Sequence, residues 1–363
     1  MKNRTEMKRE SRKWTVTTAG LVLLAVGTAS AQDRTTYLDG TNRLSLSLRF
    51  GLNIHARFKG IGNGFGSAPA PRRTPDGDLY NYDDGYVLTD VSGNAGGQTW
   101  YWGYDNAGQV SSQDNTVTFN QATAVTPNGS TASSADSAPY LGVEVAYDRQ
   151  LGVIEKLHHM RYGVEFAANY MRIAFQQNNT FGATVSSASD TYSYENGTTP
   201  PDAPYQGTYN GPGFLLNVPP IDSNGSINPD ASILSQDDFD GDLFGFRLGP
   251  YIQLPLGKSE RFQLAASGGL AVGLLNANSS WKQTLTIPQS STIVAKGGGE
   301  DFAALVGYYA AVNANWQLTD RWGLQGGVQF QDLGTYSHKF DGRQARLDLR
   351  QSVFFLFGVS YNF

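Results

Sequence analysis

Hydrophobic and polar residues alternate along the last seventeen positions of the chain, residues 347–363. Leu347, Leu349, Gln351, Val353, Phe355, Phe357, Val359, Tyr361 and Phe363 share one phase, and Asp348, Arg350, Ser352, Phe354, Leu356, Gly358, Ser360 and Asn362 the other. A period of two predicts a β-strand, here about twice the usual globular length and long enough to cross a hydrocarbon layer at a tilt. Seven more segments repeat the pattern, over residues 42–58, 139–149, 159–175, 241–256, 261–277, 301–317 and 321–336. The first runs Leu44, Leu46, Leu48, Phe50, Leu52, Ile54, Ala56, Phe58 without a break. Eight strands is an even number, as an antiparallel barrel with both ends on one side requires.

The connections alternate in length. Residues 150–158, 257–260 and 318–320 are short, whereas residues 59–138, 176–240, 278–300 and 337–345 are long or loose. Short turns on the inner side and long loops outside place both ends of the barrel at the periplasmic face. Tyr147, Tyr162, Phe262, Trp316, Trp322, Tyr361 and Phe363 share the apolar phase beside the short turns, as an interfacial aromatic girdle does. Residues 80–89, 98–104 and 115–122 read as short strands that extend the wall or cap it. Two of them crossing as well gives the alternative, a ten-stranded barrel. The second long loop, with Pro200-Pro201 and Pro219-Pro220, reads as irregular.

The N-terminus carries six Lys/Arg before Trp14, an apolar run and the small-residue site Ala29-Ser30-Ala31, so residues 1–31 are expected to be a cleaved signal peptide. Residues 32–363 then form a single barrel domain. Without residues 1–31, 21 basic and 30 acidic side chains remain, a balance of −9 that disfavours nucleic acid as a partner. Cysteine is absent, which excludes disulfides and thiolate metal sites. No apolar run approaches the length of a membrane helix, and after export only a closed barrel satisfies its backbone in lipid.

Signal, strands and the closing Val359-Ser360-Tyr361-Asn362-Phe363 together resemble the small outer-membrane β-barrel class typified by OmpA- and OmpX-like domains. The resemblance implies an outer-membrane location, contact with outer-membrane lipid, and recognition of Tyr361 and Phe363 by the barrel-assembly machinery. The two largest loops exceed those of compact members, so partners do not carry over.

Candidate chemistry follows from the phases. Arg49, Glu144, Glu165, Arg247, Asp348 and Arg350 fall on the inward phase, where balanced charges in a narrow lumen pair into a plug. Lining a narrow conducting pore for ions or small solutes is the alternative. Trp100, Tyr101, Trp102 and Tyr104 either build a core for the first loop or stack on an extracellular glycan or protein ligand. Asp237, Asp238, Asp240 and Asp242 gather four carboxylates at the outer mouth of the fourth strand, Asp238, Asp240 and Asp242 at alternate positions, but an EF-hand count from Asp238 finds Leu243 and Gly249 where Gly and Glu belong, so a solvated acidic rim is expected instead of a metal site. His55, His158, His159 and His338 form no evident catalytic set, His338 having only Ser337 beside it. No enzyme activity and no cofactor are expected; the reading is a structural or surface-interaction protein. Arg172 continues the lipid-facing phase of Tyr162, Val164, Phe166, Ala168 and Tyr170, and a β-bulge near Asn169 or Tyr170 is expected to turn it inward.

Overall fold

A computed structural model describes residues 42–65, 72–74, 77–90, 97–129, 132–136, 139–157, 159–208, 212–257, 260–288 and 292–363. The expected signal peptide and His158 lie outside them. Eight strands form the wall: β1 (Asn42–Leu52), β2 (Tyr140–Ile154), β3 (Met160–Ser193), β4 (Asp222–Leu256), β5 (Phe262–Thr286), β6 (Thr292–Gln317), β7 (Trp322–Asp332) and β8 (Ser352–Asn362). Each pairs antiparallel with its neighbour in space, β1 lying between β2 and β8. β2 pairing with β3 completes the ring. Among the described residues, the strands of the first loop stay outside this ring of eight.

The outward phase is apolar over a narrow band. Leu44, Leu46 and Leu48 on β1, Phe244, Phe246 and Leu248 on β4, and Phe355, Phe357 and Val359 on β8 are all exposed, an arrangement that water alone would not favour. From Leu44 to Leu52 the band covers nine residues; at about 3.4 Å each and a tilt of about 40° it stands roughly 23 Å tall. Its lower rim carries Tyr162, Phe262, Trp316, Trp322 and Phe363, all exposed, with Trp322 and Tyr361 ring centroids 5.0 Å apart. The two ends of the barrel meet there, the Asn42 and Phe363 backbones exchanging hydrogen bonds of 3.2 and 3.0 Å.

The upper rim follows one row of the ladder. Arg172, Asp242 and Asn276 are successive cross-strand partners, and above that row the outward positions of β3, β4 and β5 are mostly polar, Ala174 and Leu234 being apolar. Here the wall divides. On one side β3, β4, β5 and β6 continue straight up, so the expected loops 176–240 and 278–300 are largely strand: β3 and β4 stay paired as far as Thr191 with Asp222, and only residues 194–221 between them form the connection. Polar outward residues do not stop a strand whose inward face remains buried, which is why the composition of this stretch misleads.

On the other side the wall breaks. The segments expected at 42–58 and 347–363 are each two strands, parted at Asn53 and Gln351, which have φ of 62° and 56°. The Asn53 side chain donates to the Gln351 carbonyl at 2.9 Å, tying the breaks together. Past them a second sheet forms in the order Ala132–Asp136, His55–Lys59, Arg343–Asp348, Thr335–Phe340. Each break reverses the faces: Leu44 to Leu48 point out, whereas Ile54, Ala56 and Phe58 are buried, as are Leu347 and Leu349 above the outward-pointing Phe355 and Phe357. The buried faces pack against Ile173, Phe175, Phe239, Leu243 and Leu275 of the straight wall, one continuous apolar cluster across the barrel's upper half.

The expected bulge in β3 is not present. Register with β4 runs unbroken from Arg161 opposite Gln253 to Ala183 opposite Ala231. Arg172 therefore stays outward and bonds Asp240, while Met171 and Ile173 are buried inside.

Candidate functional site

Four of the eight wall strands bring the central charges together. Glu144 on β2 accepts from Arg49 of β1 at 3.2 Å and from Arg247 of β4 at 2.5 Å, and Arg247 also reaches Glu165 of β3 at 3.0 Å. All four side chains are nearly inaccessible to solvent, at 2–6% exposure, so two positive and two negative charges fill the cross-section without a residual charge. Arg49 gains a further acceptor in Gln331, at 2.5 Å, and lies 3.6 Å over the Phe354 ring. Arg247 lies 4.6 Å over Tyr309. The inward phase thus delivers Arg49, Glu144, Glu165 and Arg247 to one point.

Asp348 and Arg350 do not belong to this network. The break at Gln351 removes them from the wall strand, and they pair with each other at 2.6 Å at the outer rim, where the guanidinium holds the Asp348 carboxyl below the usual carboxylate range. Two other pairs belong to the filled interior. Arg43 and Asp148, partners across β1 and β2 at 2.6 Å, close the lower lumen together with Gln253. Both stand in the inward phase, which was the signal for them. Higher up, Arg343 pairs with Asp237, itself held by Ser235 at 3.0 Å. Burial pushes the Asp237 carboxyl up and the Arg343 guanidinium down. Asp237 is thus not part of a rim: in the Asp237-to-Asp242 run it alone among the aspartates faces inward.

Asp238, Asp240 and Asp242 point outward. Asp240 is taken by Arg172, and Asp242 accepts from the Tyr170 hydroxyl at 2.6 Å. No group of three or more His, Cys, Asp or Glu among the described residues could hold a metal ion. Ser337 and His338 fall on opposite faces of Thr335–Phe340; Ser337 accepts from Gln344, and His338 lies 5.3 Å from the Phe340 ring.

The first loop folds into a cap. Gly77–Tyr82, Gly85–Asp90 and Trp102–Tyr104 pair in one small sheet, and Thr116–Pro127 adds to the upper part of β3. Trp102 and Tyr104 are buried here and cannot serve as a ligand platform. Trp102 stacks on Tyr104 at 5.6 Å, contacts Tyr205 at 4.9 Å and donates to the Phe214 carbonyl at 2.8 Å. Tyr192 and Leu216, from the second loop region, complete this core. Trp100 and Tyr101 are only half-buried. Asp84 anchors the cap, its carboxylate accepting from the Asn120 backbone at 2.8 Å and side chain at 2.7 Å, and burial raises its pKa.

No family model and no curated protein matches the chain. Among solved structures it is similar to Ail, the attachment invasion locus protein of Yersinia pestis, solved with the heparin analogue sucrose octasulfate, at 8% identity and a TM-score of 0.28 over 89% of this chain and 99% of that one. OprG of Pseudomonas aeruginosa aligns at 10% identity and a TM-score of 0.25, covering 88% and 96%. The protease OmpT of Escherichia coli aligns at 11% and 0.28, covering 89% and 96%. The barrel fold itself stands on the closed ring of paired strands, and the resemblance to small outer-membrane barrels is one of architecture.

Proposed function

We propose that the chain is an outer-membrane barrel with a sealed lumen that holds a folded cap outside the cell, and that its role is structural or one of surface interaction. The observation that carries this reading is the neutral, buried set of Arg49, Glu144, Arg247 and Glu165 across the membrane-level lumen, under an apolar cluster that fills the level above. An ion passing through would have to break paired charges and then enter an apolar layer. The apolar band supports the membrane location, being of the height that outer-membrane barrels present to lipid. Tyr361 and Phe363, at the lower rim of the last strand, are the residues offered to the assembly machinery. Trp100 and Tyr101, half-buried in the cap with Tyr101 5.1 Å from the Tyr86 ring, are the residues to which this reading gives the contact with an extracellular glycan or protein.

Conductance of the full mature barrel in planar bilayers tests the reading. Insertion without steady current is the expected result; large, steady single-channel currents from the wild type would replace the sealed lumen with a pore.

A further inference from the structure

The second sheet carries a concentration of positive charge that neither the lumen nor the cap uses. Lys59, Gln344 and Lys339 are successive cross-strand partners, and Arg57, Arg346 and Ser337 form the row two residues nearer the barrel. Alternation puts both rows on the outward face, opposite buried Phe58, Ala345 and Leu347. Arg57, Lys59 and Lys339 are exposed and have no carboxylate partner among the described residues; Arg346 is half-buried, donates to the Thr335 hydroxyl at 3.4 Å and feels the Asp348 carboxylate. The acidic groups nearby are engaged, Asp348 by Arg350 and Asp341 by the Gly298 backbone. A cleft of about 460 Å³ opens between Lys59, Lys339 and Gln344, beside Gly60 and Gly342, with Arg343 and one carboxylate, Asp341, also in its lining. Four cations on one small face outnumber the nearby carboxylates Asp341 and Asp348, the latter already paired with Arg350, so the face attracts an anion.

Height says which anion fits. Leu52 is the last outward apolar residue of β1, and Arg57 and Lys59 follow five and seven residues later. At about 3.4 Å per residue and a tilt of about 40°, they stand roughly 13 and 18 Å above the band. The headgroup layer of an ordinary phospholipid is only about 5–7 Å thick on each side, so its phosphate lies below this face. A phosphate carried on a sugar headgroup stands higher. We infer that the outward face of the second sheet is a binding surface for the phosphorylated sugars of an outer-leaflet glycolipid, with Lys59 and Lys339 gripping phosphate across the cleft and Arg57 and Arg346 supporting it from below. This inference rests on the outer-membrane reading, and insertion into neutral phosphatidylcholine vesicles tests that reading without involving these lysines.

Native mass spectrometry of the full barrel in detergent, titrated with a purified short-chain lipopolysaccharide, tests the surface. Wild type should retain it, and the dephosphorylated glycolipid should not be retained. At about fivefold per surface cation, the double variant Lys59→Gln/Lys339→Gln should bind about 25-fold more weakly, and Arg57→Gln alone about fivefold. The exposed pair Lys282→Gln/Lys296→Gln, on β5 and β6, should leave affinity unchanged. A heat-dependent gel shift in each variant shows that the barrel is folded. Affinity within threefold of wild type in the Lys59/Lys339 variant, or equal loss in the Lys282/Lys296 pair, would overturn the site. Equal retention of the dephosphorylated glycolipid would overturn phosphate as the group recognised. Equal retention of phosphatidylglycerol, or displacement by equimolar inorganic phosphate, would overturn the glycolipid.

Discussion

Removing the Glu144 charge should destabilise the barrel more than any other single change in the lumen, because both central arginines depend on it. Glu144 faces Arg49 at 3.2 Å and Arg247 at 2.5 Å, and its charge centre is about 4 Å from each guanidinium. At an effective dielectric constant of about 20, each attraction is worth about 4 kcal/mol, or about 8 kcal/mol for both. Glu144→Met also recovers the several kcal/mol spent on burying the carboxylate, so the net loss is about 3–5 kcal/mol, the usual cost of breaking a buried ion pair. The double variant Arg49→Met/Glu144→Met behaves differently. It leaves Arg247 with Glu165 at 3.0 Å, a balanced pair, and should cost no more than about 1–2 kcal/mol. Unfolding in guanidinium, followed by the heat-dependent gel shift in detergent or vesicles, measures both. The single variant should be the less stable of the two. If the double variant loses as much as the two single variants combined, the charges act independently and the neutral plug is not a unit.

Truncating Trp102 to Ala removes the centre of the cap core and should cost about 3–5 kcal/mol there, read as faster proteolysis within residues 77–127 while the barrel keeps its heat-dependent shift; loss of both would mean that the cap and wall fold as one unit. Cysteine at position 172 should react with a water-soluble thiol reagent from outside the membrane, whereas cysteines at 171 and 173 should be protected, and the opposite pattern would restore the bulge. Burial raises the Asp84 pKa, so the folded cap binds a proton more readily than the unfolded chain does, and the contribution of this group to stability grows as pH falls from neutral towards the unfolded carboxylate value of about 3.9. Denaturant titration of cap tryptophan fluorescence should therefore give a higher midpoint at pH 5.5 than at pH 7.5 in wild type, with the difference reduced in Asp84→Asn; a lower midpoint at pH 5.5 contradicts the sign.

Period-two alternation reports that one face of a strand is dry, but not which face. Within the membrane-level band the dry face is the outer one, touching lipid; above it the dry face is the inner one, touching the facing wall. Along β3 this exchange occurs without any irregularity. Tyr162 to Tyr170 are apolar outward, Met171, Ile173 and Phe175 are apolar inward, and the polar outward positions begin at Arg172. The sequence shows the exchange as a change of apolar phase, and reading every apolar phase as lipid-facing converts that change into a bulge that the register excludes. At Asn53 and Gln351 the error runs the other way. Each break reverses the faces at the level where lipid gives way to protein, so the two reversals cancel and apolar residues keep the same parity: Leu48, Leu52, Ile54 and Phe58 on one side, Leu347, Leu349, Phe355 and Phe357 on the other. An unbroken pattern therefore conceals two strands in each segment, and with them the reason Asp348 and Arg350 sit at the rim while Arg49 and Glu144, below the breaks, meet in the lumen. The charges legible from sequence were those on strand stretches whose dry face is lipid. Asp237 and Arg343 lay above that level, where a carboxylate read as rim and an arginine read as loop occupy the same buried interior.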